Sequence, residues 1–133
     1  MLGDLVLEMK GKTTGKRVVS AEGPKVEISF EAQGTYKGTP VQEMGTFWSI
    51  PRPGGAMYGE GQGAIMTSDG EMGSWSGSGI GRFKQGGTIS YRGSVVYQTT
   101  SQGKLASLNN AVIVFEYDVD ANDNSVQKGW EWK

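Results

Sequence analysis

Between Lys25 and Lys37 apolar and polar residues alternate without a break. Val26, Ile28, Phe30, Ala32, Gly34 and Tyr36 fall on one face; Lys25, Glu27, Ser29, Glu31, Gln33 and Lys37 fall on the other. Strand side chains point alternately to two sides, so the pattern predicts an antiparallel strand with one face in a core and one in water. Leu5 to Lys10 and Lys16 to Ala21 read as an opening hairpin around Thr13-Thr14-Gly15. Val41 to Ile50 carries Phe47 and Trp48 on opposite faces, which predicts a bulge in one strand of that pair. Pro51-Arg52-Pro53-Gly54-Gly55 marks a reversal, because neither proline donates to a ladder. Strands follow over Met57 to Thr67, Ser74 to Phe83, Thr88 to Thr100, Asn110 to Val119 and Val126 to Lys133. Turns at Ser68-Asp69-Gly70 and Gly86-Gly87 separate some of these, and helical periodicity is confined to one short turn at Leu105 to Leu108.

Two neighbouring segments carry glycine at alternate positions: Gly59, Gly61 and Gly63, then Gly77, Gly79 and Gly81. Each triplet strips one face of a strand of its side chains. Such a stretch bends sharply, admits another backbone, or leaves room for a ligand. Ile65, Trp75, Phe83, Ile89, Tyr91, Val95 and Tyr97 share faces with glycines, whereas Glu60, Gln62, Ser74, Ser76, Ser78, Thr88, Ser90 and Arg92 lie opposite. The glycine face is therefore the expected inner one, where bulky rings need gaps across from them. The prediction is an all-β fold, a single antiparallel up-and-down β-barrel of about eight strands forming one domain over residues 1–133.

Composition narrows the chemistry. The 133-residue chain contains no histidine and no cysteine. That removes disulfides, thiol nucleophiles, CxxC redox chemistry, imidazole-based triads and nearly every zinc arrangement. Catalysis would rest on Asp, Glu, Tyr, Lys, Arg, Ser or Thr, tuned by burial. A net charge of −1 offers no general attraction to nucleic acid or membrane surfaces. The run Ala111 to Phe115 is too short to span a bilayer, and Asp4 interrupts any apolar leader, so cytoplasmic residence is the expectation.

Several local patterns have a functional and a plainer reading. Gly59-Glu60-Gly61-Gln62-Gly63 is GxGxG without a following helix, so strand curvature explains it better than a phosphate cradle. Asp120-x-Asn122-x-Asn124 reaches Glu131 at calcium-loop spacing, but Ser125 stands where the sharp turn needs glycine. A hairpin turn is the better account, and no metal or other cofactor is expected. Glu43, Glu60, Glu116 and Glu131 lie in strand patterns; as solvated groups they would bridge to Arg82, Arg92 or Lys128. A lumen-facing carboxylate would instead supply acid/base chemistry, with Glu116 and Glu60 the candidates. Arg82-Phe83 and Tyr91-Arg92 place rings beside cations, yet no basic groove supports nucleic-acid binding. Trp130 and Trp132 share a face that would seal the barrel or meet a second copy.

Phe30, Tyr36, Trp75, Phe83, Tyr91 and Tyr97 fall on predicted inner faces. They form either a filled core or the lining of a lumen in which Tyr hydroxyls orient an apolar ligand. With Gly61 and Gly79 as the vacated positions, these are the candidate binding residues.

The runs GEGQGAIMTSDGE, SWSGSGIGRF and GGTISYRGSVVYQT resemble small uncharacterised bacterial and archaeal β-barrel proteins of the calycin-type or allene-oxide-cyclase-like kind. The likeness covers roughly the last two-thirds of the chain and rests on glycine spacing and a Trp. It implies an eight-stranded barrel with an interior cavity and self-association through the barrel wall. Barrels of that kind bind or isomerise apolar, lipid-like small molecules, although no catalytic residue of the cyclases matches this sequence. Three functions are therefore carried forward: a binder of a small, mostly apolar molecule; a cyclase- or isomerase-type enzyme using a buried Glu and a Tyr; and a self-associating module with a filled core.

Overall fold

The computed structural model describes residues 1–133. Its strands are β1 (Leu2–Ser20), β2 (Lys25–Tyr36), β3 (Thr39–Pro51), β4 (Met57–Met66), β5 (Met72–Phe83), β6 (Ile89–Gln98), β7 (Val112–Val119) and β8 (Asn124–Trp132). They follow chain order around a closed, antiparallel eight-stranded barrel, sealed where β1 pairs with β8 from Leu2↔Trp132 to Lys12↔Asn124. Closure pairs every strand on both sides and removes the exposed edges of an open sheet. The only helical pieces are 3-10 turns at Gln85–Gly87 and Ala106–Leu108. No helix is long and apolar enough to cross a membrane.

Two local expectations are corrected. Thr13-Thr14-Gly15 does not reverse the chain; β1 continues through it to Ser20, with a register irregularity between Thr13 and Gly15. Threonine and glycine there serve a bulge, and the reversal falls at Ala21 to Pro24. Phe47 and Trp48 need no bulge either, because β3 keeps an unbroken register with both β2 and β4. Phe47 points inward. Trp48 lies on the outer face, with Lys25 Nζ 4.2 Å from its ring centroid and Tyr58 at 5.7 Å. An outward Trp is stabilised here by the cation and the neighbouring ring, not by a core.

The interior has two apolar clusters. One contains Leu7, Met9, Ala32, Tyr36, Val41, Ile65, Val95, Tyr97 and Ile113, and extends to Leu105 and Leu108 from the loop after β6. That loop plugs one end of the barrel. Glu71 holds it by accepting the backbone N–H groups of Lys104 (3.0 Å) and Leu105 (3.1 Å) and the Ser101 hydroxyl. The Ser101 bond, with those amides, lowers the Glu71 pKa. Tyr36 meets Ser107 of the same loop, hydroxyl to hydroxyl, at 2.7 Å. The second cluster contains Phe30, Tyr91, Tyr117 and Val119, with Phe47, Met57 and Ile89 packed against it.

Candidate ligand site

The site begins with the glycines, because they decide how the rings fit. Across β4 and β5, Gly59 faces Gly79, Gly61 faces Gly77 and Gly63 faces Trp75. A Cβ on Gly63 would stand 2.5 Å from the Trp75 ring, one on Gly45 2.7 Å from Phe30, and one on Gly81 2.6 Å from Tyr91. At Gly77 and Gly93 the obstacle is the neighbouring strand's backbone, at the carbonyls of Ser94 and Ser78. The bare positions thus let rings lie flat on the wall and let strands crowd at a tight bend.

A cavity of about 70 Å³ remains between the two clusters. By the same measure a single water needs only about 10–15 Å³, so several non-hydrogen atoms fit. Its lining includes Phe30, Gly61, Trp75, Gly79, Tyr91 and Tyr97 among the residues singled out from sequence, and adds Glu43, Phe47, Phe115, Tyr117 and Gln127. Glu60 and Ser78 border it only because the wall between them is bare backbone; both side chains are exposed.

Two candidates lie elsewhere. Phe83 keeps the inward phase but ends β5 beyond the rim, 65% exposed. Tyr36 is buried in the first cluster beneath the plugging loop, outside the lining. The two carboxylates offered as lumen candidates are outside it, in the solvated setting that was their plainer reading. Glu116 pairs with Arg92 on the outer face at 3.7 Å, and the exposed Glu60 accepts the Tyr58 hydroxyl at 3.0 Å. Asp120 caps the β7–β8 turn by accepting the backbone N–H groups of Asn122 (2.8 Å) and Asn124 (3.0 Å), while Glu131 sits at the far end of β8, 3.9 Å from Lys37.

The buried carboxylate is Glu43, on β3 between Ala32 of β2 and Ile65 of β4. It is 3% exposed, and neither oxygen has a hydrogen-bond partner within the protein. Burial raises its pKa to about 7, partly offset by Gln127 and Trp75, which lie near enough to favour the charge but outside hydrogen-bond geometry. Trp75 Nε1, the Tyr117 hydroxyl and Gln127 Oε1 are equally buried and unpartnered. Tyr97 and Tyr117 are both pushed above the ordinary tyrosine value, mainly by burial with the Glu43 charge adding to it, and at Tyr117 the nearby Ser125 hydroxyl, outside hydrogen-bond geometry, offsets part of the rise; both stay protonated. Ser49 and Tyr91 satisfy each other at 3.0 Å. An interior rarely leaves several buried polar groups unpaired side by side; such a set, around a space larger than a water, suits the polar end of a guest.

Sequence reasoning placed Glu43 among strand carboxylates without choosing it. The available signal was its phase: Val41, Glu43, Gly45, Phe47 and Ser49 alternate with Gln42, Met44, Thr46 and Trp48. Gln127 shares its phase with Gly129 in the same way.

No protein-family model matches the chain, and no curated protein matches it in sequence. Solved structures share its fold, among them two proteins of unknown function. A conserved protein of unknown function from Rhodopseudomonas palustris aligns with a TM-score of 0.78 at 16% identity, over 99% of both chains. A protein with unknown function from Clostridium acetobutylicum aligns with a TM-score of 0.76 at 16% identity, over 98% of both. At that identity the likeness establishes a common barrel across the whole length of the chain and nothing about chemistry.

Proposed function

We propose that this barrel binds a small, mostly apolar molecule whose single polar group is held by Glu43, Trp75, Tyr117 and Gln127. One observation carries the reading: those four residues, each with a buried polar atom that lacks a hydrogen-bond partner, are among the residues lining a cavity otherwise walled by rings, aliphatic side chains and bare backbone. Apolar walls supply affinity and a few polar groups supply orientation. The reading extends the resemblance to calycin-type or allene-oxide-cyclase-like barrels, and the eight-strand, up-and-down closure supports it. It also takes in cytoplasmic residence, on the lack of cysteine, and self-association through the outer wall. Nucleic acid and membranes are not part of it.

The test uses the Trp75 indole N–H resonance, assigned with Trp75→Phe, during titration with compounds of a few heavy atoms bearing one polar group. Some should shift that signal saturably, and Glu43→Leu should abolish the shift while keeping the barrel's amide spectrum. A wild-type indole signal indifferent to every compound would reject the site.

A second reading, an enzyme of cyclase or isomerase type, draws on the same carboxyl. A group with pKa about 7 both gives and takes a proton near neutrality, and the Tyr97 and Tyr117 hydroxyls stand near it to polarise a carbonyl. A filled-core module fits less well, because the cavity exceeds one water.

A further inference from the structure

The unpartnered polar atoms of the residues that line the cavity are unequal in kind. Four are oxygens (both of Glu43, Gln127 Oε1 and the Tyr117 hydroxyl), and one, Trp75 Nε1, is a nitrogen that only donates. The site is therefore rich in acceptors. None of its lining residues is Lys or Arg, so no side chain there provides a counter-charge to Glu43. The remaining wall includes the rings of Phe30, Trp75, Tyr97, Phe115 and Tyr117, whose faces carry partial negative charge. Phe30 links this wall together, 5.3 Å from Tyr117 and 6.3 Å from Trp75 between ring centroids.

Resting on the binding reading above, we infer that the polar group of the guest is a primary ammonium on a short hydrocarbon stem, seated against Glu43. Its N–H groups donate to Glu43, Gln127 and Tyr117, its charge completes the pair with the carboxylate, and its stem lies against the rings. A carboxylate guest would face Glu43 and ring faces of its own sign. An inorganic cation would lose its water for four oxygens, fewer than the six to eight that a calcium ion takes. A neutral alcohol uses the apolar walls but leaves the carboxylate without a counter-charge.

Protonation distinguishes the cases. The titratable groups facing Glu43 are Tyr97 from β6 and Tyr117 from β7, with Tyr36 of β2 next to Tyr97; all three are phenols. β1 and β4 contribute Leu7 and Ile65, and β5 and β8 contribute Trp75 and Gln127, none of which titrates. Ammonium binding requires the ionised carboxyl, so it strengthens as pH rises through about 7.

Propylammonium, 1-propanol, propionate and potassium chloride, titrated separately onto the intact protein at pH 6 and pH 8, provide the test through the Trp75 indole signal. Propylammonium should bind more tightly than the other three at pH 8, and about tenfold more weakly at pH 6 as Glu43 takes up its proton. Glu43→Gln, nearly the same shape without the charge, should reduce propylammonium to the level of 1-propanol and abolish the pH dependence. If 1-propanol or potassium equals propylammonium, the ammonium assignment falls while the binding site stands. If propylammonium binds but Glu43→Gln leaves its affinity unchanged, Glu43 is not its seat and the inference is overturned. If none of the probes moves the signal, both the inference and the binding reading fail.

Discussion

A carboxyl group moved from water into an apolar barrel keeps its proton to higher pH, and Glu43 does so, from 4.5 to about 7. The sign of the stability effect follows. Between those values the folded state holds more protons than the unfolded one, so this residue's contribution falls as pH rises from about 4.5 to 7 and is flat beyond. The span corresponds to on the order of 3 kcal/mol. Glu43→Gln should therefore be more stable than wild type at pH 8 and close to it at pH 4.5, as measured by urea denaturation at both values. Equal differences at the two pH values would show that Glu43 is solvated. That Glu43 points inward was legible from its alternation with Val41, Gly45 and Phe47. That its oxygens stay unpaired was not, because the groups near them come from β5, β7 and β8, far away along the chain.

At the scale of elements, β4 and β5 show how glycine makes a sheet curl. Gly77 has Ser94 and Val95 where a side chain would go, with Val95 Cγ1 at 2.5 Å, whereas a Cβ on Gly15 of β1 would meet nothing within 4 Å. Gly77→Ala should destabilise the barrel by about 1–3 kcal/mol through overpacking. Gly15→Ala should be neutral or stabilising by up to about 1 kcal/mol, since alanine has less freedom to lose in a strand. Thermal unfolding of the two variants checks the contrast, and equal effects would mean that Gly77 is not crowded. The alternation of the triplets was enough to assign their inner face. The occupants of the vacated space were not legible, since Trp75, Phe30 and Tyr91 reach those positions from other strands. The opening hairpin failed for a related reason: Thr13-Thr14-Gly15 suits a turn or a bulge equally, and pairing with β2 on both sides of it selects the bulge.

For the whole molecule, closure leaves the outer wall as the remaining surface for assembly. Leu2, Trp132, Val112 and Val96 pair side by side across β1, β8, β7 and β6, and Leu5, Trp130 and Val114 form the next row. Trp132 and Val96 are each about half exposed, a patch of the kind that soluble surfaces seldom leave bare. If a second copy covers it, sedimentation velocity should show association increasing with concentration and lost in Trp132→Lys. A wild type that stays monomeric at every concentration would remove self-association from the proposal. The sequence by itself determined the strand alternation, the inner faces of β2, β4, β5 and β6, most of the short connections and the absence of imidazole and thiol chemistry. Each of these is a local property, set by period-two geometry or by which atoms are present. Only the tertiary structure decided that the sheet closes, that Phe83 clears the rim, and that Glu43, Trp75, Tyr117 and Gln127 converge on one cavity. Those outcomes depend on the register between strands distant in sequence, where a shift of one residue turns every inward group outward.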